Sequence, residues 1–144
     1  MSTVTEIADA VRDVLAGLDW VTYASDVDFL PPVNQADVCA LVLPFDQSST
    51  ATADSLGDTI TLIHLLNVEF WVQHRNGEAA RTLRIGRDAG TLAIAALLAQ
   101  DGEGYTIARE YQFTERIEPQ FVTHLNVPWL VASLRVPVEN EVTT

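Results

Sequence analysis

The feature of this sequence that most constrains its fold is a long alternating run between residues 59 and 74. Successive side chains of an extended strand point to opposite faces. One face of the run contains His64 and is otherwise apolar, with Ile60, Leu62, Leu66, Val68, Phe70 and Val72. The other face is polar but is interrupted by Ile63, Leu65 and Trp71. The run therefore predicts a strand much longer than the usual five or six residues, with cover on both faces.

A first helix is predicted near the start of the chain, over residues 4–18. Thr3 and Glu6 have the spacing of a capping box, in which each side chain caps a backbone amide of the other residue. The positions that follow carry apolar residues at helical spacing, namely Ile7, Val11, Val14, Leu15 and Leu18.

A second helix is predicted from Glu78 to about Gln100. Its apolar stripe consists of Ala79, Ala80, Leu83, Ile94, Leu97 and Leu98. Gly86 and Gly90 lie one helical turn apart and would form a flat face that lets the backbone approach a sheet closely. The alternative is a break near residues 86–88, with Asp88 capping a shorter helix.

Three shorter runs predict further strands. Residues 38–43 are wholly apolar, residues 105–117 alternate, and residues 125–138 alternate with a strongly apolar face. Residues 19–37 are expected to be irregular, because Pro31 and Pro32 cannot continue a helix. We expect residues 44–58 to form a long mobile loop and the polar residues 139–144 to be a frayed tail.

These elements predict a single α+β domain over residues 1–144. The predicted order is α-β-β-α-β-β, with an antiparallel sheet and two helices packed on one face. Hydrophobic residues make up 48% of the chain and charged residues 19%, as is typical of a folded globule. No apolar stretch approaches the ~20 residues of a membrane span, so we expect no membrane contact.

Charge excludes one class of function. The formal net charge is −12, and all eight cations are arginines. Residues 1–58 contain ten acids and a single cation, Arg12. A surface that binds nucleic acid through its phosphates needs clustered Lys or Arg. The composition therefore predicts no specific binding of nucleic acid.

The residue types that carry chemistry are present but not grouped. His64 and His74 lie about 33 Å apart along an extended strand, and His124 and Cys39 add no metal-ligand spacing. Cys39 lies in an apolar run, where a small buried side chain is expected rather than a reactive thiol. We therefore predict no catalytic residues, no cofactor, no metal site and no enzymatic activity.

Two carboxylate pairs are the remaining candidates for a site. Asp26 with Asp28, and Glu115 with Glu118, could serve acid–base chemistry or bind calcium. In a chain with twenty acids, such pairs are expected by chance. Neither pair is predicted to be functional.

The sequence resembles the tail terminator (tail completion) proteins of long-tailed bacteriophages. The resemblance lies in the predicted element order, the Ser/Thr-rich segment after the first strand, the strand ending at residues 70–72, and the closing segment 121–135. It implies a structural virion protein that forms a hexameric ring in the phage neck. Such a ring caps the tail tube, stops its polymerisation and joins the tail to the head connector or stopper protein.

The resemblance also implies where the protein works and what passes through it. The ring would be assembled in the host bacterial cytoplasm, and DNA would pass through its lumen without specific binding. A ring subunit needs a strand edge open to neighbours, which we expect residues 59–74 to supply. We expect an acidic lumen, with Asp9 and Asp13 as candidate lining residues.

Two alternatives remain open at the level of sequence. One is another head–tail connector ring of the neck, either a stopper or an adaptor. The other is a small-ligand-binding α+β domain that uses Arg109 or Arg135 as an anion contact.

Overall fold

The computed structural model describes residues 3–33, 37–43, 50–53, 59–111, 113–115 and 119–143. These residues form two helices and eight strands in one sheet. The elements in chain order are α1 (Val4–Ala16), β1 (Tyr23–Ser25), β2 (Val38–Leu43), β3 (Thr50–Ala53), β4 (Thr59–Gln73), α2 (Ala79–Ala99), β5 (Thr106–Ile107), β6 (Thr114–Glu115), β7 (Gln120–His124) and β8 (Val127–Thr143).

Two long antiparallel strands form the centre of the sheet. All 15 residues of β4 pair with β8, from Thr59 opposite Thr143 to Gln73 opposite Trp129. The other edge of β4 pairs with β2 and β3, and the other edge of β8 pairs with β5, β6 and β7. Strand β1 extends the sheet beyond β2. The long strand predicted over residues 59–74 is thus confirmed, and so is the apolar strand over residues 38–43.

The predicted order α-β-β-α-β-β is wrong. The short strands β1 and β3 precede α2, and four strands rather than two follow it. The sheet is also not wholly antiparallel, because β1 runs parallel to β2. Strands of two to four residues carry too few alternating positions to produce a periodic signal in the sequence.

The strand predicted over residues 105–117 is interrupted because its partner strand, β8, contains a proline at position 137. Ala108 donates its amide to the carbonyl oxygen of Pro137 at 3.0 Å, and Pro137 has no N–H to donate back. The ladder stops there, and a turn forms in which the amide of Tyr111 bonds to Ala108. Pairing with β8 resumes only at Thr114.

The strand predicted over residues 125–138 begins two residues too early, and the strand that pairs with its start was not predicted. Residues 120–124 form β7, which pairs with the start of β8 in a hairpin. The two turn residues, Leu125 and Asn126, have φ angles of 49° and 64°. Positive φ at both turn positions is the mark of a type I′ turn, whose twist suits a two-residue hairpin. Leu125 is an uncommon residue for this conformation, so the sequence carries no turn signal there.

Two expectations about mobile segments are also corrected. Residues 50–53 of the predicted loop 44–58 form β3, which pairs with Ile60–Ile63 of β4, whereas residues 44–49 and 54–58 lie outside the described residues. Residues 139–143 of the predicted frayed tail complete β8. Backbone pairing with β4 therefore continues as far as Thr143.

Both helices pack on one face of the sheet. Helix α1 buries Ile7, Val11 and Leu15, and α2 buries Ala89, Ala93 and Leu97. They cover the even-numbered side chains of the central strands, including Leu66, Val68, Phe70, Leu134, Val136 and Val138. The first helix begins as predicted, with the Thr3 hydroxyl accepting a hydrogen bond from the Glu6 amide at 3.2 Å.

Helix α2 is continuous over 21 residues, so the alternative break near residues 86–88 does not occur. A Cβ atom at Gly86 would lie 2.5 Å from Cδ2 of Leu130 in β8. The absent side chain therefore lets the helix backbone approach the sheet, as predicted for this position. No helix among the described residues is long and apolar enough to cross a membrane.

Candidate assembly surfaces

The three histidines do not come together. His64 is buried on the helix side of the sheet, far along β4 from His74. The His74 ring contacts Phe121 at 5.6 Å between centroids, and the His124 ring contacts Trp71 at 6.4 Å. Among the residues that the structure describes, no group of three or more His, Cys, Asp or Glu side chains could hold a metal ion.

Cys39 is a core residue. Its side chain is fully buried with Trp71, Trp129 and Val131 on the sheet face that points away from the helices. Burial, with a further contribution from the charge of Asp37, raises the pKa of Cys39 to about 12. Burial therefore favours the protonated thiol at neutral pH. The prediction of a small buried side chain is confirmed.

The first carboxylate pair is occupied by structural contacts. The buried Asp26 accepts a hydrogen bond from Nη1 of Arg12 at 2.6 Å, and Asp28 accepts one from the Tyr23 hydroxyl. These bonds attach the loop after β1 to α1 and to β1 itself. Of the second pair, Glu118 and the side chain of Glu115 lie outside the described part of the chain.

The two arginines considered as anion contacts differ in their surroundings. Nη2 of Arg109 lies 2.9 Å from a carboxylate oxygen of Asp101. A cleft of about 460 Å³ lies beside it, but the Asp101 carboxylate already compensates its charge. Arg135 is exposed on β8, on the sheet face away from the helices. Neither arrangement favours an anion-binding domain.

The strand edge open to neighbours is not that of β4, which we expected from the sequence. Strand β4 is paired along both edges, and its second apolar face is buried by Trp129 and Val131 within the same chain. Among the described residues, β7 is the longest strand with a single partner, since it pairs only with β8. No other described strand pairs with its outer edge, so the backbone N–H and C=O groups on that side are open to a further strand.

Exposed apolar side chains lie on both faces of this same hairpin. Phe121, Val122 and Leu125 are 59%, 37% and 72% exposed. We call these three residues and the outer edge of β7 the hairpin surface. An open strand edge that also carries exposed apolar side chains is a surface of the kind that proteins use for pairing with another chain.

A second apolar projection follows β1. Val27, Phe29 and Leu30 are exposed in a loop whose first turn is held by Ser25. The Ser25 hydroxyl accepts hydrogen bonds from the amides of Val27 and Asp28, both at 3.2 Å. The loop therefore presents its apolar side chains from an ordered backbone.

Comparisons of the sequence with models of known protein families and with curated proteins find no match. The assignment of a function therefore depends on the surfaces of this chain and on the resemblance. Sequence reasoning missed the hairpin surface, because the turn at Leu125 and Asn126 lacks the glycine that usually marks a two-residue hairpin.

Proposed function

We propose that this chain is a structural virion protein that forms a ring in the neck of a long-tailed bacteriophage. The ring caps the tail tube, stops its polymerisation and joins the tail to the head connector. In this proposal the protein is not an enzyme, and it assembles in the cytoplasm of the host bacterium. The partners are further copies of the chain, the tail tube protein, and the connector or stopper protein.

The hairpin surface is the observation that supports an assembly role. Phe121 and Leu125 are exposed beside a strand edge that no other described strand covers. Exposed apolar side chains and open strand edges both promote association with another chain. Burial of this surface against a partner would remove apolar area from water and give β7 a second partner. The described residues offer no comparable arrangement of catalytic groups.

The tail tube is part of the proposal because of the resemblance to tail terminator proteins. The predicted element order no longer supports that resemblance, because the observed order differs. The segments that still support it are the end of β4 and the residues 121–135, which include the hairpin surface. The acidic character of the chain suits a conduit for DNA, because a surface rich in carboxylates repels phosphates within about one Debye length, ~8 Å at physiological salt.

The proposal is tested by measuring the size of the purified protein alone and with tail tubes. We expect a ring in at least one of these conditions, located at tube ends by electron microscopy. Val122→Lys places a charge on the exposed edge strand and should reduce capping. Thr106→Lys is the matched control, since it introduces the same lysine on β5, another exposed position along the same edge of β8.

Three results would contradict the proposal. The first is a protein that remains monomeric even with tubes present. The second is equal capping by Val122→Lys and the wild type, which would show that the hairpin surface takes no part in capping. The third is binding to the head connector without binding to tubes, which would indicate a stopper or adaptor ring instead.

A further inference from the structure

The charges of this chain are distributed unevenly along it. Residues 75–88 contain four arginines and two acids, whereas the rest of the chain contains four arginines and eighteen acids. Copies of a protein with a net charge of −12 repel one another at long range. Self-association is therefore favoured where this basic segment meets an acidic part of a neighbour.

Two of the four arginines are available to a neighbour. Arg75 and Arg81 both form ion pairs with Asp37. Arg84 and Arg87 are exposed on α2, and neither forms an ion pair within 4.0 Å among the described residues. Leu83, next to them, is 46% exposed. We call Leu83, Arg84 and Arg87 the basic face of α2. It combines one exposed apolar side chain with two exposed arginines, and the single acid beside them, Asp88, leaves the face with a net positive charge.

A groove with complementary properties lies between α1 and the C-terminal end of α2. Its volume is about 520 Å³. Small apolar side chains line it, including Ala10 and Val14 of α1 and Ala96 of α2, and two of its lining residues, Asp13 and Glu103, are acidic. We call this feature the acidic groove.

The charge of the acidic groove is not cancelled by Arg12. This arginine lies within 3.1 Å of Asp9, Asp13 and Asp26, so three carboxylates share one guanidinium group. The α1 side of the groove therefore retains a surplus of negative charge.

We propose that the basic face of α2 docks into the acidic groove of a second copy of this chain. This inference rests on the proposed function and names the contact between neighbouring subunits of the ring. Leu83 enters the apolar groove, and Arg84 and Arg87 pair with Asp13 and Glu103 of the neighbour.

The two surfaces lie at different ends of α2. Ala96, the first residue of α2 that lines the groove, lies 12 residues after Arg84, or roughly 18 Å along the helix at 1.5 Å per residue. In the proposed ring the contact joins different surfaces of the two copies, head to tail, and leaves one unused surface at each end of a dimer. Repeated in this way, the contact generates closed rings or open filaments. A symmetric dimer, in which each basic face occupies the groove of the other copy, would contradict the ring contact.

The test uses two charge-reversal variants of the full chain. The first carries Arg84→Glu and Arg87→Glu, and the second carries Asp13→Arg and Glu103→Arg. Like charges then face each other in either variant, so each alone should associate on the order of 100-fold more weakly than the wild type. Sedimentation velocity, in the presence of tail tubes if the wild type needs them, measures the association.

Mixing the two variants gives the decisive result. In an equimolar mixture, the unchanged basic face of the second variant meets the unchanged groove of the first, and the two reversed surfaces also complement each other. An alternating ring with an even number of subunits should form, with the sedimentation coefficient of the wild-type assembly. Arg135→Glu, which reverses an exposed arginine on the opposite sheet face, is the control and should assemble normally.

A second, milder variant keeps the test valid if the charge-reversal variants misfold. Arg84→Gln with Arg87→Gln removes both charges without reversing them and should weaken association less than the reversal does. Circular dichroism should match that of the wild type for all variants, because the substituted side chains are exposed or line an open groove. Thermal unfolding should change little even for Asp13→Arg, because the ion pair of Asp13 with Arg12 is exposed to solvent.

The possible failures are distinguishable. Normal assembly and capping by both reversal variants would overturn the inference and leave the proposed function standing. Variants that assemble normally but no longer bind tail tubes would place the tube, not a second copy, on α2, and would also overturn it. Self-association that follows the predicted charge dependence without any capping would uphold the inference and reject the proposed function. A monomeric wild type under all conditions would reject both.

Discussion

Leu125 shows how one residue can conflict with its local backbone. Its φ angle of 49° lies in the left-handed region, which costs a residue with a Cβ roughly 1–2 kcal/mol. The side chain gains little burial in return, because it is 72% exposed. Backbone strain at an exposed apolar residue is consistent with a role for Leu125 in contacting a partner.

Leu125→Gly should therefore stabilise the monomer and weaken assembly. We expect the free energy of unfolding to rise by about 1 kcal/mol, measured by urea denaturation. Tube capping should fall in the same variant, because an apolar side chain of the hairpin surface is lost. Asn126→Gly is the control: asparagine tolerates positive φ, so its stability should change less. A drop in the free energy of unfolding for Leu125→Gly would contradict the prediction, because it would mean that the leucine side chain stabilises the monomer more than its backbone strain destabilises it.

At the scale of elements, the distance between α2 and the sheet depends on a missing side chain. Gly86 is buried in the middle of the helix, although glycine costs about 1 kcal/mol relative to alanine at such positions. Leu130, which lies against it, is 2% exposed and pairs with Val72 of β4 and Phe121 of β7. A larger residue would push α2 away from the centre of the sheet.

Gly86→Leu should consequently be destabilising despite its better helix propensity. Overpacking in a core costs on the order of 1–3 kcal/mol, more than the helix gains. Thermal unfolding of this variant would be compared with that of Thr91→Leu, which adds the same side chain on the exposed face of α2. Equal melting temperatures for the two variants would show that the sheet accommodates the added volume.

At the scale of the whole molecule, charge decides which macromolecules can approach. With a net charge of −12 and twenty acids, the chain presents a mostly negative surface. The exceptions are local, and the main one is the basic face of α2. Assembly in a ring would place that face inside an interface and leave the assembled particle still more uniformly acidic.

The protein should accordingly fail to bind duplex DNA even at low ionic strength. At about 0.01 M salt the Debye length is ~30 Å, and electrostatic binding to phosphates is at its strongest. Fluorescence anisotropy of a labelled duplex would detect it, with a basic DNA-binding protein as the positive control. Binding that weakens steeply with salt would contradict the prediction. Its loss in the Arg84→Glu, Arg87→Glu variant would then assign it to the basic face.

The sequence by itself determined the elements whose signals are local and long. The alternation over residues 59–74, the apolar run of β2, the capped helix α1 and the extent of α2 all follow from periodicity and from residues within the element. The burial of Cys39 could likewise be predicted from its apolar neighbours. These features depend on which side chains face the core, and the spacing of apolar residues within each element indicates those side chains.

Tertiary structure alone decided the features that depend on a partner distant in sequence. The interruption between β5 and β6 originates in Pro137, which lies opposite them in β8 and cannot donate a hydrogen bond. The tail at residues 139–143 becomes a strand because β4 is long enough to pair with it. The acidic groove arises where α1 and the end of α2 meet, so no single segment carries a pattern that predicts it. The hairpin surface lies within one segment, but its open edge depends on how the strands pair with β8.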